Sequence, residues 1–121
     1  MISVFKPELK KKDIKAAYET LKKGQISGTF ADSINSLEKN FAKFNKTKFA
    51  VAVSSGTTAL HLAIACLNLK KGSEVLVSAT TNIATGLAIV HNGLIPKFID
   101  SKIDTWNIDE KKIEKNITKK T

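Results

Sequence analysis

Val53-Ser54-Ser55-Gly56-Thr57-Thr58-Ala59-Leu60 decides how this chain folds, because it carries an apolar run straight into a helical pattern. The run before it, Phe49-Ala50-Val51-Ala52-Val53, is short, continuous and apolar, the texture of a strand covered on both faces. After it, Leu60, Ile64 and Leu67 recur at helical spacing until Lys70-Lys71-Gly72 ends the segment. Where a strand turns directly into a helix, the first amide N–H groups lack internal partners and the positive end of the helix dipole adds to them. Gly56 lets a ligand come close to the backbone, and Ser55, Thr57 and Thr58 add hydroxyl donors without charge. A phosphate group suits such a turn. A plainer reading stands level with it on spacing alone: Ser54 or Ser55 simply caps the helix. The stretch has neither the Gly-x-Gly-x-x-Gly spacing of a dinucleotide site nor the Gly-Lys-Ser/Thr ending of a nucleoside triphosphate site, so those two phosphate-binding classes lose ground.

The same alternation continues downstream. Glu74-Val75-Leu76-Val77-Ser78 reads as a strand, Ile83 to His91 as a helix, Asn92-Gly93 as a turn, and Ile95 to Ile99 as a further strand. Three strands joined through helices imply right-handed crossovers and a parallel sheet with flanking helices, an α/β architecture. Asp104 to Asp109 reads as a turn, anchored by burial of Trp106 or, as the alternative, presenting that ring for ligand stacking, and leading into a short helix around Glu110 to Lys115. Upstream, Leu9, Ile14, Ala17 and Leu21 mark a helix over Pro7–Lys23, with Gly24 as its stop. Ile34, Leu37, Phe41 and Phe44 share one face of a second helix, for which Asp32 or Ser33 is available as cap. Gln25 to Ala31 falls between the two as loop. The expected organisation is a helical lead-in over residues 1–48 and an α/β part over residues 49–121, with no separate second domain.

Composition narrows the function classes. Of 121 residues, 42% are hydrophobic and 26% charged, a globular balance that argues for a folded, soluble protein. The longest apolar stretches fall well short of the roughly 20 residues that cross a bilayer, so no membrane partner is expected. The start lacks the pattern of a secretion signal, which leaves the cytoplasm as the default. Cys66, the single cysteine, excludes an internal disulfide and a multi-cysteine metal site; its apolar, helical surroundings favour a buried structural thiol. The net charge of +9 raises nucleic acid as a partner, yet all 20 basic residues are Lys, with no Arg for bidentate contacts. They spread over helix faces and ends, as solvated lysines do, so no nucleic-acid partner is expected.

Ala50-Val51-Ala52-Val53-Ser54-Ser55-Gly56-Thr57-Thr58-Ala59-Leu60-His61-Leu62-Ala63 resembles the phosphate-binding signature of the DegT/DnrJ-type sugar aminotransferases. Ser27-Gly28, Gly72-Ser73-Glu74-Val75-Leu76-Val77, Ile95-Pro96-Lys97-Phe98-Ile99-Asp100 and Thr105-Trp106-Asn107-Ile108-Asp109 are similar to further landmarks of that family, in order and spacing. The likeness spans nearly the whole chain. It implies the N-terminal portion of a PLP-dependent transferase large domain of the aspartate-aminotransferase type, in a homodimer with the active site at the subunit interface. Gly56, Thr57 and Thr58 would hold the phosphate of pyridoxal 5'-phosphate. At Asn82 the family usually has an aromatic residue that stacks on the cofactor ring; Asn82 would replace that contact with hydrogen bonds to cofactor or substrate. The implied activity transfers an amino group, with glutamate as the expected donor, to a keto-sugar carried on a nucleotide, for surface polysaccharide biosynthesis. Some relatives are dehydratases instead.

The family runs to roughly three times this length. Its Asp opposite the pyridine nitrogen and its Schiff-base Lys have no counterpart here, so no catalytic residue is assigned, no metal ligand either, and the chain alone is expected to be inactive. A noncatalytic phosphate-binding half of a split enzyme is the alternative. A sheet ended where this one ends exposes apolar surface. Of the other candidates, His61 reads as a packed, hydrogen-bonded residue, His91 as a surface or capping residue, and Asp100, at a strand end, as either a cap or a ligand-facing group.

Overall fold

The computed structural model describes residue 2, residues 5–28 and residues 32–121, in two compact units, Met1–Ala52 and Val53–Thr121. The first unit holds helices α1 (Lys11–Lys22) and α2 (Asp32–Phe44). Helix α1 begins four residues later than its apolar spacing suggests, because the Asp13 side chain accepts the Lys10 amide at 3.0 Å and fixes the first turn there. It ends where Gly24, at φ 68°, takes the left-handed conformation that stops a helix. Of the expected loop, Gln25 to Gly28 are described; Thr29, Phe30 and Ala31 lie outside the described residues.

The strand expected over Phe49–Val53 does not form. Within the first unit, Ala50, Val51 and Ala52 run along α2 and share with Leu37, Glu38 and Phe41 a groove of about 210 Å³. The Ala52 amide donates to the Glu38 carboxylate at 2.8 Å instead of to a neighbouring strand. A strand exists only as part of a ladder, and among the described residues no strand pairs with this run. Its apolar side chains stay open: Phe49 and Val51 are mostly exposed.

The second unit runs α3 (Gly56–Ala65), β1 (Glu74–Ser78), α4 (Ile83–His91), β2 (Ile95–Ile99) and α5 (Glu110–Asn116). The last four match the expected spans within a residue. Helix α3 stops earlier than the lysine pair suggests, at Ala65, and Asn68 at φ 53° turns the chain towards β1. The strands pair in parallel, Glu74 with Ile95 through Ser78 with Ile99. Two glycines account for this register. Gly72 at φ 81° and Gly93 at φ 72° each stand two residues before a strand, and the Gly72 amide donates to the Gly93 carbonyl at 2.9 Å. At the other end the hydroxyls of Ser78 and Ser101 meet at 2.9 Å.

Val77, Ile89 and Leu94 form the centre of the core, with Ile64 of α3 and Val75 packed against them. Ala88 and Ile99 are also buried. Much apolar surface remains outside: Leu67, Ile83, Phe98 and Ile103 are exposed. Cys66, expected inside, is exposed at the C-cap of α3, because Ile64 takes the core-facing position and the helix ends before another turn covers the thiol. Trp106 is likewise corrected. The residue is 68% exposed, and the turn it occupies is held by backbone bonds rather than by burial of the indole.

Candidate phosphate-binding turn

Ser55 has extended backbone and caps α3, its hydroxyl oxygen accepting the Thr58 amide at 3.2 Å. The Thr58 hydroxyl lies 3.0 Å from that of Ser55 and 3.2 Å from that of Ser54, so three hydroxyls gather at the head of the helix. The cap is real, and it occupies the Thr58 amide. It leaves the amides of Gly56 and Thr57, the first two of α3, without a hydrogen-bond partner among the described residues.

Gly56 separates the two readings further. Its backbone is not in the left-handed region, and a Cβ built there meets nothing within 4 Å. Neither conformation nor packing within this chain requires a glycine, and at the start of a helix a larger residue costs less entropy to order. Open space above two free amides is what an approaching phosphate needs. Gly56, Thr57 and Thr58 are all exposed, so nothing in the described chain seals the turn.

Asn82 caps α4, its Oδ1 accepting the Ala84 amide at 3.0 Å. That bond commits the side-chain oxygen to the helix and leaves the Nδ2 donor. Beside it, Ser78, Thr80, Thr81 and Thr85 border a groove of about 530 Å³ at the carboxyl end of β1. This hydroxyl-lined groove was not anticipated; the signal for it lay in Ala79-Thr80-Thr81-Asn82, polar residues crowded directly after a strand.

The remaining candidates settle into structural roles. His61 is half-buried with its ring centroid 6.0 Å from that of His91, and its carbonyl accepts from Asn92 at 3.1 Å. His91 ends α4, exposed. Asp100 accepts from Lys112 at 2.8 Å, which holds its carboxyl below the usual range. The Glu110 carboxylate beside Lys102 raises that ammonium, as Asp100 raises Lys112. A lysine nucleophile needs the opposite shift. Among the described residues no three His, Cys, Asp or Glu side chains are grouped to hold a metal, and no described helix is long and apolar enough to cross a membrane.

The parallel α/β arrangement, entered through a capped helix head, is that of the PLP-dependent aminotransferase fold. The chain belongs to the DegT/DnrJ/EryC1/StrS aminotransferase family, whose pattern covers residues 7–121. It is 39% identical over 120 residues to the GDP-perosamine synthase of Escherichia coli O157:H7, a match covering 99% of this chain and 33% of that protein. It is 38% identical over 115 residues to the spore coat polysaccharide biosynthesis protein SpsC of Bacillus subtilis, covering 95% and 29%. Its structure is similar to that of E. coli GDP-4-keto-6-deoxy-D-mannose-3-dehydratase with bound hydrated PLP, at a TM-score of 0.84 and 33% identity over 96% of this chain and 31% of that one. The chain thus spans about a third of the length of the relatives it matches. The family and its PLP-bound neighbour indicate pyridoxal phosphate as the cofactor.

Proposed function

We propose that this chain is the phosphate-anchoring part of a PLP-dependent aminotransferase acting on nucleotide-linked keto-sugars for surface polysaccharide synthesis. The reading rests on the free amides of Gly56 and Thr57 beneath open space. These two amides and the Thr57 hydroxyl hold the phosphate dianion. The Thr58 hydroxyl, already placed by Ser54 and Ser55, adds one donor, and the dipole of α3 contributes about 0.3 to 1 kcal/mol. Asn82 directs its Nδ2 donor to the cofactor ring or substrate while its Oδ1 holds α4. When bound, pyridoxal phosphate supplies the electron sink for chemistry at an amino-acid carbon.

Activity needs groups outside this chain. The relatives are about three times as long, and no lysine here stands at the family's Schiff-base position, so the chain binds cofactor noncovalently and does not turn over alone. A homodimer and a cytoplasmic location follow from the same reading, with a nucleotide sugar and an amino-acid donor as partners of the full-length form.

Two variants of the reading keep the site and change the chemistry. One is a sugar dehydratase, the activity named for one structural neighbour at a TM-score of 0.84. The other is a split enzyme, in which a second chain covers the exposed Phe49 and Val51 and brings the missing lysine. The deciding experiment titrates the purified chain with pyridoxal phosphate, follows absorption, and treats the complex with borohydride. The expected result is saturable binding that Gly56→Ala weakens and borohydride leaves unreduced on protein. A stable adduct on one lysine overturns the noncovalent reading, and no saturable binding overturns the site.

A further inference from the structure

Trp106 is in a conformation that folding does not explain. Its φ of 61° is left-handed, a region that glycine and asparagine enter readily and a bulky aromatic residue rarely does. The turn around it is secured by the backbone alone: Trp106 N–H donates to the Lys102 carbonyl at 2.9 Å, Lys102 N–H to the Asn107 carbonyl at 2.9 Å, and Ser101 bridges to Ile108. The residue contributes little burial, being 68% exposed. An asparagine or glycine would serve this turn with less strain. The large flat ring is thus held in the open at the turn's expense, which is how ligand-facing residues are held.

Its position gives that ring something to face. Trp106 follows β2 and shares grooves with Ser78 at the end of β1 and with Asp100 and Ser101 just after β2, at the end of an α/β sheet where ligands bind. It borders the groove of about 530 Å³ together with Thr80, Thr81 and Thr85. That volume falls within the range of small-molecule sites, and the lining combines Trp106 and the hydroxyl residues with the apolar Leu76, Val77 and Ile108. The groove reaches the first turn of α4, which Asn82 caps, so it adjoins the position proposed for the cofactor ring.

We propose that Trp106 is the stacking platform for the nucleobase of a nucleotide-linked substrate, with Thr80, Thr81 and Thr85 offering hydroxyls to its edge and ribose. The choice of substrate class rests on the proposed function; the aromatic site does not. On the other side of Trp106, Asp100 lines a second groove and is paired with Lys112, so the face is not selective for phosphate alone. Base stacking carries the affinity.

The chain has one tryptophan, so its emission reports on Trp106 directly. The full chain is titrated with guanosine, GDP and ribose 5-phosphate. Guanosine and GDP are expected to quench the emission saturably with similar affinity, and ribose 5-phosphate to leave it unchanged. By calorimetry, Trp106→Leu is expected to weaken GDP binding about tenfold or more, and Trp106→Phe to keep most of it. Absence of saturable quenching, or equal GDP affinity in Trp106→Leu, overturns the proposal. If Trp106→Leu fails to fold, the quenching of the unaltered chain decides. A parallel titration with pyridoxal phosphate separates the two readings: cofactor binding without guanosine quenching removes only the Trp106 platform, and quenching without cofactor binding removes only the Gly56 turn.

Discussion

The Ser55 hydroxyl oxygen accepts the Thr58 amide proton at 3.2 Å, so the residue that caps α3 also determines which amides remain free for a ligand. The cap and the proposed anion site need not compete, because the cap takes the third amide of α3 and leaves the first two. Ser55→Ala removes that cap and should cost about 1 kcal/mol, within the 0.5–2 kcal/mol seen for such changes. Urea unfolding followed by circular dichroism measures it; an unchanged midpoint would show that the cap adds nothing to the fold.

Gly56→Ala should separate folding from binding. With nothing within 4 Å of an added Cβ, the fold should keep its stability or gain about 0.4–1 kcal/mol. Affinity for pyridoxal phosphate should fall, because the methyl group occupies the space the phosphate needs. Thermal melts and absorption titrations on the same sample read both quantities. Loss of stability together with unchanged affinity would refute the assignment of the open space to a ligand.

Ile89 carries the small core. It is 1% exposed and packs with Val77 and Leu94, where α4 meets the sheet. Ile89→Ala should destabilise by about 2–5 kcal/mol, enough to unfold a unit with so few buried side chains. Amide exchange of β1 and β2 is the sensitive measure, and protection surviving the substitution would contradict this account of the core.

Helix α5 is tied to the end of β2 by Lys112 with Asp100 and by Lys102 with Glu110. Hydrogen bonds from these lysines hold both carboxyls below their ordinary values, and the carboxylates hold both lysines above theirs. A carboxylate with a lowered folded pKa contributes stability above its unfolded value and loses it as pH falls through the folded one. A lysine with a raised value contributes below its unfolded value and loses it as pH rises through the folded one. The contribution is therefore present across neutral pH and lost at both extremes. All four groups are solvent-accessible, so the effect should be small and should fade in molar salt. Exchange rates of α5 amides at neutral and acid pH, with and without salt, test this; acid-insensitive rates would exclude the pairs as the tie.

Local signals in the chain were legible because their causes lie within a few residues. Apolar period marked β1, α4 and β2, and the glycines at 72 and 93 announced the two turns that set the strand register. The turn at Ser55–Thr58 was readable as both cap and anion site, since both follow from the unpaired amides at any helix start. What residues 49–53 would do was not legible in this way. An apolar run becomes a strand only beside a partner of fitting register, and here Ala52 bonds to Glu38 of α2 instead.

Burial was equally beyond reach of the local pattern. Cys66 and Trp106 have the chemistry of interior residues, yet both are exposed, because only packing of α3, α4 and the sheet around Ile89 decides which apolar groups are covered. The sequence by itself determined the order of helices, strands and turns and the place of the unpaired amides at the head of α3, since these depend on short-range sterics and hydrogen bonding. The tertiary structure alone decided which apolar runs pair, which residues go inside, and that Thr80, Thr81 and Trp106 border one groove, since those depend on groups distant in the chain arriving together.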